Sequence, residues 1–77
     1  MILEQELLLR SLIQFGFVKS VEIHPSEELP IVRIRLRGKF PLRSVTIRKL
    51  TDVISQHELD HNVLYDIDIV RAEERDD

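Results

Sequence analysis

The sequence predicts a small α+β domain of order α-β-β-α-β, a two-layer sandwich with two helices on one face of a three-stranded sheet. Three observations carry this. Apolar residues recur at three- and four-residue spacing near the amino terminus and again after Pro41, and they alternate strictly in Ile31-Val32-Arg33-Ile34-Arg35-Leu36-Arg37. A third alternating stretch, with Tyr65, Ile67 and Ile69 set against Asp66 and Asp68, closes the chain's ordered part.

The first helix is expected over residues 2–15, where Leu3, Leu7, Leu8, Leu12 and Phe15 form a stripe that Leu9 and Ile13 widen. Glu4 and Glu6 suit its first turn, and Gly16 suits a left-handed residue just past its end. A first strand spans 17–24, with Val21 and Ile23 on one face and Ser20, Glu22 and His24 on the other. The polar turn Pro25-Ser26-Glu27-Glu28 leads through Leu29-Pro30 into the arginine strand, 31–37, which Gly38 ends. Pro41 opens the second helix, whose apolar set is Leu42, Val45, Leu50, Val53 and Ile54 and which Asn62 can stop. Residues 63–71 make the third strand, so 1–71 read as one domain and 72–77 as a charged, frayed tail.

This order resembles a ferredoxin-like βαββαβ unit lacking its first strand. It is also similar to the small cytoplasmic metallochaperone-like domain of cation-efflux transporters. The resemblance is one of topology over most of the chain. It implies the sandwich and carries no site residue with it.

Composition narrows the function classes. The chain has 77 residues and no cysteine, so disulfides, thiolate zinc sites and cysteine chemistry are excluded. A domain this small buries roughly 60% of its unfolded surface, and self-association is the simplest way to bury more. No run of about 18 apolar residues is present, and Met1 to Phe17 has neither a basic leader nor a small-residue cleavage site. A cytoplasmic protein is expected.

The net charge of −3 hides a segregated pattern. No acidic residue occurs from Leu29 to Thr51, whereas Arg33, Arg35, Arg37, Lys39, Arg43, Arg48 and Lys49 all fall there. Arg33, Arg35 and Arg37 recur about 6.6–7 Å apart along one strand face, close to the spacing of successive phosphates. A single-strand binder would interleave aromatic platforms, and Phe15, Phe17, Phe40 and Tyr65 do not alternate with the arginines. If Asp66 and Asp68 lie on the neighbouring strand, the row is neutralised by its own fold, and that pairing is the preferred expectation. A protein partner with an acidic or apolar patch comes next, and nucleic acid last.

His57-Glu58-Leu59-Asp60-His61 matches H-E-x-x-H, which on a helix can grip zinc with the glutamate as base. The motif falls at a helix end, and its third ligand would have to be His24, Glu73 or Glu74. Histidines in a last turn that interact with the helix's negative end are the expected reading, with His57 and His61 as weak metal candidates. No serine nucleophile set or glycine-rich phosphate loop is present, so no enzyme and no cofactor are expected.

Helix one is too apolar for one face of a small sheet to cover, and Leu3, Leu7, Leu9 and Ile13 are candidates for self-association. The sequence therefore suggests a small non-catalytic interaction or regulatory module, homodimeric. The alternatives are a nucleic-acid-binding regulator and a metal-responsive module.

Overall fold

A computed structural model describes residues 3–38 and 43–71 and shows the expected α+β sandwich. Its elements are α1 (Leu3–Ile13), β1 (Val18–His24), β2 (Ile31–Leu36), α2 (Ser44–His61) and β3 (Asp66–Arg71). Pro41, Leu42 and the tail 72–77 lie outside the described residues.

β2 is the central strand. It pairs antiparallel with β1 through the Pro25–Pro30 loop and parallel with β3 across the α2 connection. Alternation along β2 sends Val32, Ile34 and Leu36 into the core, all fully buried, and turns Ile31, Arg33 and Arg35 to the other face. On the inner face, Leu8 and Leu12 of α1 and Leu50 and Ile54 of α2 complete the core with Val18 and Tyr65. Only a narrow stripe of each helix is used, since i and i+4 residues share one side.

β1 holds a feature the alternation did not announce. The register with β2 shifts between Val18 and Ser20, so Lys19 is a bulge residue. The extra residue resets the phase, which lets Val18 join Val21 and Ile23 on the inner face.

Gly16 does not take the left-handed conformation expected for it; neither described glycine has positive φ. α1 instead leaves through tight turns, with Phe15 N–H donating to Leu12 O (3.3 Å) and Val18 N–H to Phe15 O (3.1 Å). The Phe15 and Phe17 rings stack at 5.2 Å against this turn. Asn62 does end α2 in the left-handed region (φ 56°, ψ 48°), and the N–H of Val63 reaches back to Glu58 O at 3.2 Å. Val45, expected on the apolar face of α2, is exposed, as is Ile47, so the helix enters the core only from Leu50 onward.

Candidate functional site

Three regions bear on function: the open face of the sheet, a buried polar cluster, and an apolar groove at the end of α2.

The open face carries the arginine row. β3 lies beside it, and the ladder sets Arg33 opposite Asp68 on one side and Glu22 on the other. Arg33 Nε donates to Asp68 Oδ2 at 3.0 Å, with both side chains half-exposed. Glu22 also accepts from His24 Nε2 at 2.8 Å. That bond, with the charges of Arg35, His24 and Arg33, outweighs the effect of burial and holds the Glu22 carboxyl below its usual range. Arg35 faces the neutral Ser20 and Val70 and makes no hydrogen bond or ion pair among the described residues. Arg37 leaves the strand; its Nε donates to Gly16 O at 3.0 Å and its N–H to Phe17 O. The row is therefore one neutralised arginine, one arginine under the influence of Glu22, and one tied to the α1–β1 turn.

The remaining cations do not extend it. Arg43, Arg48 and Lys49 are exposed on or just before α2. Leu50 and Ile54 of that helix pack on the inner face of the sheet, opposite Arg33 and Arg35. Lys39 lies outside the described residues. Adjacency in sequence is thus divided between two layers of the fold.

The polar cluster lies where the two helices meet the start of β3. His57, only 8% exposed, points at Glu4 of α1, with Nε2 2.6 Å from Oε1. The Tyr65 hydroxyl donates to the same carboxylate (2.8 Å to Oε2, 3.0 Å to Oε1). Burial alone would push the Glu4 carboxyl up, but the hydrogen bonds from His57 and Tyr65 and the charges of His57 and His61 bring it below the ordinary value. An ionised carboxylate only accepts, so the His57 contact requires a proton on Nε2. Burial, then the neighbouring Glu4, push the Tyr65 hydroxyl up to about 12.

His57 is therefore a paired core residue rather than a surface histidine at a helix end. His61 is exposed in the last turn, its ring centroid 4.4 Å from that of His57. Glu58 accepts the Tyr65 N–H at 2.8 Å, which commits the motif's central carboxylate to closing the turn into β3. Among the described residues, no three His, Asp or Glu side chains are grouped to hold a metal ion. His24 is engaged by Glu22, and Glu73 and Glu74 lie outside the described residues. The H-E-x-x-H pattern is spent on packing and chain reversal. Sequence reasoning missed Glu4 and Tyr65 as its partners, since both read as ordinary first-turn and strand residues.

The groove lies at the carboxyl end of α2, lined by Leu29, Ser55, Leu59, Val63 and Leu64 with Glu58 and Asn62, and encloses about 680 Å³. Leu59 is 79% exposed and Leu64 62%. Of the four helix-one candidates, Leu3, Leu7 and Ile13 are exposed and Leu9 is half-buried, so the expected apolar surplus on α1 is present. No helix among the described residues is long and apolar enough to cross a membrane.

No known protein family, curated protein or solved structure matches the chain.

Proposed function

We propose that this chain is a small, non-catalytic protein-interaction module of the cytoplasm that regulates a protein partner and associates with itself. The observation that supports it best is the apolar groove with Leu59 and Leu64 on its rim, since contiguous apolar surface on a small domain marks a contact site. The engagement of Arg33 by Asp68 and of Arg37 by Gly16 O supports it indirectly, by weakening the competing case for phosphates. The expected partner offers an apolar side chain to the groove.

The test compares wild type with Leu59→Glu/Leu64→Glu as bait against the native host's lysate. Both residues are exposed, so melting temperature should hold while a specific partner is lost. Equal capture by both baits would contradict the groove as the contact surface.

Arg35, which has no ion-pair partner among the described residues, and the exposed Arg43, Arg48 and Lys49 favour nucleic acid as the second reading. That reading requires retention on heparin at low salt, lost steeply as salt rises and weakened in Arg35→Ala/Arg48→Ala. A metal-responsive role through His57 and His61 has less support, because Glu4 already occupies His57 Nε2. It requires a zinc-dependent rise in melting temperature that His61→Ala abolishes.

A further inference from the structure

We propose that two copies of the chain join edge to edge through β3, in antiparallel register centred on Ile69, to form one continuous sheet. This rests on the self-association proposed above and specifies its surface.

The two edges of the sheet are not alike. β1 carries the bulge at Lys19, and a bulge with a lysine is a common device for keeping an edge strand unpaired. β3 pairs with β2 without any register shift and contains no proline, glycine or lysine. It is a regular edge whose charges, Asp66, Asp68 and Arg71, restrict the register of another strand without interrupting the backbone groups that would pair with it.

Backbone phase fixes which groups it offers. Asp66 N–H donates inward to Pro30 O at 2.9 Å. In a strand the N–H and C=O of one residue point to the same side and alternate along the chain, so Asp66, Asp68 and Val70 bond to β2. Ile67, Ile69 and Arg71 present theirs to the open edge.

A two-fold axis perpendicular to the sheet keeps each face on its own side, which restricts the symmetric registers to a few. Centring on Asp68 sets that carboxylate against its own copy in a narrow pair, and centring on Ile67 sets Asp66 against Asp68 twice; both place like charges directly opposite. Centring on Val70 leaves only Ile69 and Arg71 to exchange bonds. Centring on Ile69 opposes Ile69 with Ile69, Ile67 with Arg71, and Asp68 with Val70. It sets no like charges opposite and engages all three outward-facing residues. Arg71 keeps its own bond to Gly38 O (3.0 Å), so Ile67, which is 40% exposed, meets only the backbone and Cβ of Arg71 in the second copy. Each Asp68 keeps its own Arg33.

Position 70 gives the test opposite signs. Within one copy Val70 neighbours Arg35, so Val70→Asp suits the single domain, yet it would face Asp68 of the second copy at two symmetric places. Val70→Lys would face the same carboxylates as a counter-charge. Sedimentation equilibrium on the full chain should show a wild-type dimer, an Asp variant dissociating about tenfold or more readily, and a Lys variant at least as tight as wild type. Circular dichroism reports that each variant is folded. A wild type monomeric at every concentration overturns both this inference and the self-association reading. A dimer indifferent to Val70→Asp overturns the β3 edge alone and transfers the contact to the Leu3–Leu7 side of α1. Should the Asp variant not fold, Ile69→Cys decides in a chain with no other cysteine: the opposed Cα atoms would be about 5.5 Å apart, within disulfide reach. Oxidation to a covalent dimer supports the register, and a monomer that resists oxidation overturns it.

Discussion

Glu4 and His57, 53 residues apart, meet through a 2.6 Å contact that fastens the first turn of α1 to the last turns of α2. The Tyr65 hydroxyl closes on the same carboxylate, so one acidic side chain holds both helices and the entry to β3. Three consequences of this cluster and its neighbours can be measured, beside the one that concerns the charged face.

Stability should fall at both ends of the pH scale. The Glu4 carboxyl lies below its reference value of 4.5 in the folded chain, so its contribution is complete above that value and is lost as pH drops through the lower, folded one. The Tyr65 hydroxyl moves the other way, from 10.0 to about 12, so its contribution is complete below 10.0 and is lost as pH rises toward 12. Urea midpoints across pH would show a plateau with two shoulders. Tyr65→Phe should remove the alkaline shoulder, and Glu4→Gln should reduce the acid one, to which the exposed Glu22 also contributes.

Tyr65→Phe should also cost about 1–3 kcal/mol at neutral pH, because it withdraws a hydrogen bond from a charged, mostly enclosed acceptor. Equilibrium unfolding in urea reads this directly, with little change in slope if the fold is kept.

Asn62 sits in the left-handed region at the end of α2. Replacing it with valine should destabilise by about 1–2 kcal/mol, since a β-branched side chain collides with its own backbone there. Asn62→Gly should be nearly neutral or mildly stabilising. Thermal melts of the two variants, compared with wild type, give the order.

Arg33 and Asp68 face each other on adjacent strands but remain half-exposed. A double-mutant cycle to alanine should yield a coupling of about 0.2–1 kcal/mol that shrinks as salt rises. A larger, salt-independent value would mean that the pair is shielded from solvent, as by a second molecule lying over that face.

The sequence made most of the fold legible because its periodicities were clean. Alternation through Val32, Ile34 and Leu36 identified the central strand, and the stripe through Leu8 and Leu12 identified α1. Asn62 was readable as a stop because few residues other than glycine accept its conformation. The bulge at Lys19 was not readable, since one inserted residue leaves both flanking patterns intact and shows only in the pairing. The H-E-x-x-H motif misled for a related reason. Spacing shows that His57 and His61 share a helix face, but not that His57 alone turns inward onto Glu4 while His61 stays exposed. Alternation placed Arg33 and Arg35 on one face, but Arg37 leaves the strand, and the pairing of Arg33 with Asp68 depended on strand order, a long-range property that local patterns leave open.

The proposed role, contact with other protein surfaces beginning with a second copy of this chain, depends first on self-association. Sedimentation of the wild-type chain, followed from the lowest detectable concentration to the limit of solubility, tests it most directly. A closed two-fold contact requires a concentration-dependent shift from monomer to dimer that stops there. A single monomeric species throughout, or association that grows without limit, would contradict it.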